Sequence, residues 1–417
     1  MTCLLTATSI FCQPASLQWT REDKLPASNI FTLFYYRDTL FAGGSDKVYI
    51  GQHGGQTWDS TAIVLPNLYS IDAITEFNNE LYVASYSTGV FKSSDLGRHW
   101  QDITGNIFPY VSRFYEWKGN LYAGTLGNGV YLLGPNGNTW TEFNNGLYQI
   151  TYNINTLTGN DRVLVGAGSP NGDYVRMQSP PTQWEYDLLE GTNMAGLSTD
   201  ETVSANDTLF LSSLGRGSNV YTSTDDAVSW QKIGTFPSST HMALVNAREA
   251  ILLARNYFNG INNVQFYYRY KNGSTQWVSF STVTTETFCF EIAITGERLW
   301  YAATNGLYSI PLSSLPGITS YNTPSYSFSV GQVYPNPVTR TGNIDINLAA
   351  PDVLDAALYD ATGKQVAIIA NHQNLYSGHT TIPLNMNWFP AGMYFLHINI
   401  HGQSFTQKII HAYGFKP

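Results

Sequence analysis

Ser93-Ser94-Asp95-Leu96-Gly97-Arg98-His99-Trp100 decides the fold, because its tryptophan is one tooth of a comb. Trp19, Trp58, Trp100, Trp140, Trp184, Trp230 and Trp277 follow one another at intervals of 39, 42, 40, 44, 46 and 47 residues. A second comb of short apolar runs is interleaved with the first. It includes Leu40-Phe41-Ala42, Leu81-Tyr82-Val83-Ala84, Leu121-Tyr122-Ala123, Val163-Leu164-Val165, Leu209-Phe210, Ile251-Leu252-Leu253 and Leu299-Trp300-Tyr301. A polar turn introduces each run, as expected of a buried central strand. A strand such as Gly89-Val90-Phe91-Lys92 follows, then a hairpin, then the tryptophan-bearing strand. With the apolar stretch before each turn, every unit has four strands, and the period is that of a propeller blade.

The two combs are out of phase at the ends. Leu299 to Ile310 has no tryptophan after it, and Trp19 has no apolar run before it. Ring closure resolves the mismatch, with the strand around Trp19 serving as the outer strand of the last blade. A closed ring also removes exposed sheet edges. The spacing therefore predicts an all-β chain, with residues 14–315 a seven-bladed β-propeller closed by its N-terminal strand.

The hairpin before each tryptophan resembles the Asp-box (BNR, sortilin-like) repeat, Ser/Thr-x-Asp-x-Gly-x-Thr-Trp. The stretch ending in Trp100 is the best copy, and Ser223-Thr224-Asp225-Asp226-Ala227-Val228-Ser229-Trp230 is the second. Weaker copies end in Gly55-Gln56-Thr57-Trp58 and Gly137-Asn138-Thr139-Trp140; those at Trp184 and Trp277 keep little beyond the indole. Their chemistry is that of a turn. The carboxylate accepts turn amides, the glycine supplies positive φ, and the indole packs on a neighbouring blade.

Composition narrows the class. A net charge of −9 argues against nucleic acid as partner, since phosphate binding needs a basic patch. Only 12% of residues are charged while 14% are aromatic, the balance of an extracellular β-protein and not of a helical cytosolic enzyme. The apolar opening with Cys3 and Cys12 reads, over residues 1–13, as the tail of a secretory signal peptide whose basic start is missing. Its removal leaves Cys289 alone, so no disulfide framework is expected. No apolar run approaches the length of a transmembrane span.

After Pro316 the period stops. Residues 316–329 read as a Ser/Thr/Tyr/Pro linker, and residues 330–417 carry six or seven short alternating strands, a small immunoglobulin-like β-sandwich. Four motifs occur there in order: Tyr334-Pro335-Asn336-Pro337, Leu358-Tyr359-Asp360-Ala361-Thr362-Gly363-Lys364, Pro390-Ala391-Gly392-Met393-Tyr394-Phe395 and Gln407-Lys408-Ile409-Ile410. With this order and spacing the tail resembles the type A sorting domain of the Bacteroidetes type IX secretion system. The resemblance implies export through the periplasm, contact with the type IX machinery, and a secreted or outer-membrane-surface location in a Gram-negative cell. The chain departs from the family by running on through Tyr413-Gly414-Phe415-Lys416-Pro417.

Asp-box propellers include sialidases, which clamp a carboxylate with three arginines, the first in an Arg-Ile-Pro motif. No such motif occurs here, and the propeller's arginines, Arg21, Arg113, Arg162, Arg255 and Arg298 among them, read as mostly beside turns. Other glycosidases need two carboxylates across a cleft; Asp72, Glu76, Glu116 and Glu291 lie on or near predicted innermost strands. No cluster of His and Cys, phosphate loop or nucleophile elbow appears, so neither metal nor cofactor is expected. Binding fits more economically. Propellers usually bind on the face of the blade-to-blade loops and the second-to-third-strand loops, where Tyr69, Tyr86, Tyr110, Tyr148, Arg216 and Tyr257 fall. Such residues suit a glycan or protein ligand, although Tyr69, Tyr110 and Tyr148 equally read as packing residues at equivalent positions. The expectation is a non-enzymatic binding or scaffold module, with an exported glycoside hydrolase or lyase as the alternative.

Overall fold

Each apolar run forms the second strand of a four-stranded antiparallel meander. The run is buried because blades lie on both of its faces: Leu40, Leu81, Leu121, Val163, Leu209, Leu252 and Leu299 are almost wholly inaccessible. In this computed structural model the described residues are 17–412 except 27, 37, 46, 60–62, 65–69, 87, 148–152, 169–172, 180–182, 189–197, 206, 215–216, 248, 272–275, 285–286, 316–317, 319–327, 349–351, 376–377 and 401–402. The apolar opening, most of the linker and residues 413–417 thus lie outside them.

Seven such meanders are present among the described residues, hereafter blades 1 to 7, the first carrying Ile63–Val64 as an added fifth strand. Their inner strands are Ile30–Tyr36, Ile71–Phe77, Val111–Trp117, Thr156–Gly159, Ser198–Ala205, His241–Asn246 and Cys289–Thr295. Each touches the next, and that of blade 7 touches that of blade 1, which makes a ring. The core is divided accordingly into apolar layers between blades. Ile30, Leu33, Leu40 and Tyr49 of blade 1, for example, pack on Trp300, Ala302 and Leu307 of blade 7. Thr20–Arg21 pairs antiparallel with Gly306–Pro311, in the register Thr20↔Ser309 and Arg21↔Tyr308, and so becomes the outer strand of blade 7. Trp19 anchors it. Its ring lies 4.5 Å from Phe266 and 4.7 Å from Tyr301, and Nε1 donates to Ser281 Oγ at 3.0 Å.

The turns before the tryptophans are built by hydrogen bonds. Asp95 Oδ1 accepts the His99 amide at 2.8 Å, and Ser93 Oγ accepts the Gly97 amide at 2.8 Å. Asp225 and Ser223 repeat the pattern with the amides of Ser229 (3.0 Å) and Ala227 (3.0 Å). In blade 3 an asparagine substitutes, Asn136 Oδ1 accepting the Asn138 amide at 3.0 Å. Cys289 is a free, fully buried thiol pushed well above its ordinary pKa by burial, and so is an inert packing residue.

The chain divides into two compact units between Tyr321 and Asn322. The second is a sandwich of a three-stranded sheet (Phe328–Val330, Thr341–Leu348, Gly378–Asn385) and a four-stranded one. The latter has the order Gln365–Leu375, Asp352–Asp360, Gly392–Ile400, Gln403–His411. Alternating residues such as Ile344, Ile346, Leu358, Leu396 and Ile398 fill the space between the sheets.

Candidate functional site at the channel mouth

Inner strands in a propeller present an unpaired backbone edge to the axis, so what satisfies or covers that edge defines the channel. Four of them are irregular at the same place. The pairing register slips between Ile30 and Thr32, Ile71 and Ala73, Val111 and Arg113, and Cys289 and Glu291. A bulge leaves one residue unpaired and re-aims its side chain. The residues so released are Phe31, Asp72, Ser112 and Phe290, all at the end where blade-to-blade loops enter.

Immediately after two of these bulges stand Arg113 and Glu291. Arg113 Nη1 lies 3.0 Å from Glu291 Oε1, and Glu291 Oε2 accepts the Leu33 amide at 2.7 Å. Blades 3 and 7 are not neighbours, since blades 1 and 2 intervene on the shorter way round. The ion pair therefore crosses the axis. Both side chains are largely withdrawn from water, at 26% and 16% exposure, and together with the Leu33 amide they form a bridge across the channel near its mouth. Arg113 is an exception to the reading that the propeller's arginines lie mostly beside turns. It stands within a strand, and its partner lies 178 residues away, where no local pattern in the sequence points to it.

Around this bridge the mouth is aromatic on one side and polar on the other. Phe31 and Phe290 lie 4.8 Å apart, Phe288 and Phe290 5.1 Å, and His241 stacks on Phe288 at 5.6 Å. His241 Nε2 is held by the Phe290 carbonyl at 2.7 Å. Burial raises the pKa of Asp72 above the usual carboxylate value, against hydrogen bonds from Ser70 and the Tyr86 amide. Ser112 Oγ donates to the Ile154 carbonyl and ties blade 3 to blade 4. Sequence reading missed Phe31 and Phe290 because the bulges that re-aim them are a property of pairing, not of composition, and missed Phe288 and His241 because their contacts lie across blades.

Of the sequence-predicted ligand residues, Tyr69, Tyr148 and Arg216 lie outside the described residues. Tyr86 and Tyr110 come together edge to face at 4.9 Å, with Phe108 5.2 Å from Tyr110; Tyr86 is 48% exposed. Tyr257 is separate, on blade 6, with the Arg255 guanidinium 4.5 Å above its ring. The four carboxylates divide between the two ends of the channel. Asp72 and Glu291 stand at the mouth, Glu76 and Glu116 near the opposite end of their strands. Glu116 is raised in pKa by burial and then by the negative charge of Glu76, while Glu76 Oε1 accepts the Asn79 amide at 2.5 Å. Among the described residues no cluster of three metal-ligating side chains occurs.

The sorting motifs turn out to be joints of the sandwich. Asn336 Nδ2 donates to the Lys408 carbonyl at 2.9 Å and its Oδ1 accepts the Ile410 amide at 2.9 Å, so the Tyr334-Pro335-Asn336-Pro337 opening is stitched to the last strand. Tyr334 hydroxyl donates to Asp345 at 3.1 Å. Asp360 Oδ1 accepts the amides of Thr362 (2.9 Å) and Lys364 (3.1 Å), with Gly363 at φ +84°. Tyr394, next but one to Gly392, donates to the Pro390 carbonyl at 2.7 Å.

Fold and site together define a β-propeller joined to a separate β-sandwich. Residues 332–412 match the secretion system C-terminal sorting domain family, which implies secretion by the type IX system, to the cell surface or beyond, in Bacteroidetes. A search of curated protein sequences finds no match. Among solved structures the chain is similar to the extracellular domain of the putative one component system BT4673 from B. thetaiotaomicron. The TM-score is 0.56 at 13% identity, over 95% of this chain and 59% of that one. This chain thus spans less than two thirds of that relative. It is also similar to a catalytically inactive virginiamycin B lyase from Staphylococcus aureus (TM-score 0.55, 13% identity, 70% and 97% covered). A third is YCF48 from Cyanidioschyzon merolae (0.51, 12%, 71% and 98%). At these identities the likeness concerns the fold alone. Among the described residues no helix is long and apolar enough to cross a membrane.

Proposed function

We propose that the propeller is a binding module exported by its sorting tail, and that it takes a glycan or protein ligand on the mouth face. The observation that carries this is the axial Arg113–Glu291 pair. It bridges the channel and gives Glu291 a cationic partner, and the same end of the ring carries the ring pairs Tyr86–Tyr110 and Phe31–Phe290. A rim of that kind stacks on sugar rings or receives peptide side chains, and contributes most of its affinity through a few aromatic contacts. The expected result is binding of the full chain on an array of glycans and peptides. Tyr86→Ala or Tyr110→Ala weakens it about tenfold with no change in melting temperature.

One observation favours a second reading, hydrolysis. Glu116 and Glu76 are electrostatically coupled carboxylates with the first raised in pKa, the pattern of an acid paired with a base. Chromogenic glycosides separate the two. Turnover that disappears in Glu116→Gln would replace the binding-only reading with an enzyme.

A further inference from the structure

Blade 6 breaks the pattern of the other blades at the mouth end of its second strand. Pairing with the inner strands aligns all seven: Tyr35↔Leu40, Glu76↔Leu81, Glu116↔Leu121, Gly159↔Leu164, Ser204↔Leu209, Asn246↔Ile251 and Ile294↔Leu299. Four residues further along stand Gly44, Ser85, Thr125, Gly168, Ser213, Arg255 and Ala303, every one of them buried. Six blades therefore close this level with a small residue, and blade 6 puts a guanidinium there.

Arg255 shares its strand face with Ile251 and Leu253, which pack on Phe210 and Val220 of blade 5. It is only 3% exposed. Nη1 donates to the Pro237 carbonyl at 3.0 Å, while Nε is buried without an acceptor. Among the described residues no carboxylate pairs with it. Tyr257, two residues nearer the hairpin tip on the same face, lays its ring 4.5 Å from the guanidinium carbon. Burying a guanidinium without a counter-ion costs more than one carbonyl and one ring contact return. The propeller fold does not require it, since six blades do without, and such departures mark functional positions.

The hairpin that carries Arg255 is exceptional as well. In blades 2, 3 and 7 the equivalent residue makes the last pair before the turn, Ser85↔Gly89, Thr125↔Gly129 and Ala303↔Gly306. In blade 6 the pair Arg255↔Gln265 is followed by Asn256↔Val264, Tyr257↔Asn263 and Phe258↔Asn262. The arm thus rises roughly 10 Å further on the mouth face. Its base is pinned to blade 7, where Asn256 Nδ2 donates to the Cys289 carbonyl at 2.6 Å and Oδ1 accepts the Cys289 amide at 2.8 Å. Phe258 and Ile261 stand exposed at its tip.

We infer that Arg255 anchors a carboxylate, reached from the mouth face as the Tyr257 ring swings aside, and that the ligand is a peptide ending in an apolar residue. The inference rests on the mouth being the binding face and narrows what binds there. A guanidinium grips a carboxylate through two parallel N–H groups, and Nε offers one that has no other acceptor. The exposed apolar tip suits a peptide side chain, whereas a net charge of −9 repels a polyanionic glycan.

The test titrates the full chain with N-acetylphenylalanine, with its C-terminal amide and with glucuronate, followed by ligand-observed nuclear magnetic resonance. The acid is expected to bind with a dissociation constant on the order of 1 mM, and the amide and glucuronate about tenfold more weakly or worse. Arg255→Met keeps the volume and removes the charge; it weakens the acid about tenfold and does not lower the melting temperature. Tyr257→Ala uncovers the guanidinium and leaves binding of the acid at least as tight. Equal binding of acid and amide by the parent chain overturns the proposal without recourse to any variant. Affinity indifferent to Arg255→Met overturns it too, as does a melting temperature several degrees lower, which would make Arg255 a structural residue. Glucuronate binding as tightly as the acid overturns the peptide in favour of an acidic sugar. If the acid fails while array ligands still depend on Tyr86 and Tyr110, this inference alone falls; if nothing on the array binds, the reading beneath it falls.

Discussion

Asp95 shows how much one residue does when its partners are local. Burial opposes its ionisation, but hydrogen bonds from the His99 side chain and amide and from Ser93 outweigh it, and hold its pKa at about 2 against an ordinary 3.8. A carboxylate with a lowered folded-state pKa stabilises the fold fully above the unfolded value, and the contribution disappears as pH falls through the folded one. Asp95→Asn is therefore expected to cost about 1 kcal/mol at pH 6, a modest figure because the side chain is partly solvated. The gap between variant and parent should close as the pH is lowered from 3.8 toward 2. Urea melts of both proteins across that range measure it; a gap independent of pH would show that the ionised carboxylate is not what holds the turn. This role was legible in the sequence, because donor and acceptor lie within eight residues. The role of Arg113 was not, since its partner is reached only by closing the ring.

At the scale of strands and blades, the periodic features were legible and the departures from period were not. Apolar runs and tryptophans repeat because every blade faces two neighbours, so the order of strands could be read directly. The bulges at Phe31, Asp72, Ser112 and Phe290 could not, as they arise from pairing geometry with the second strand. Closure of the ring rests on a short element. Thr20–Arg21 supplies only two paired residues, so Trp19 supplies much of what keeps it in place, by packing on Phe266 and Tyr301 of the second-last and last blades. Trp19→Ala should lower the stability of the propeller by about 2 kcal/mol, below the cost of a fully buried indole because Trp19 is half-exposed. Trp19→Phe, which keeps an aromatic ring but loses the hydrogen bond to Ser281 and part of the indole packing, should recover part of it. Guanidinium unfolding followed at several wavelengths reads both variants. An unchanged midpoint for Trp19→Ala would mean that strand pairing alone closes the ring.

For the whole molecule, two cores imply two foldable units. The apolar layers of the propeller end at Ile318, and the sandwich core draws only on residues from Val330 to Ile409. The tail could be recognised from sequence because its motifs are turn residues, Asn336, Asp360 and Gly363, fixed by the hydrogen bonds they make within the sandwich. The ligand could not, because affinity at a propeller face depends on which loops converge, and three of the six residues singled out fall outside the described chain. Address and binding should therefore come apart experimentally. A chain ended at Tyr321 is expected to melt within about 2 °C of the propeller transition of the full protein, since it loses no core contact of its own. In the producing cell that same chain should accumulate in the periplasm, whereas the full chain reaches the surface or the medium. Calorimetry on the purified chains and fractionation of the cells give the two readouts. Collapse of the propeller on truncation would mean that the sandwich is part of its fold. Unchanged export would mean that the address lies in the propeller and that the motif-bearing tail serves some other end.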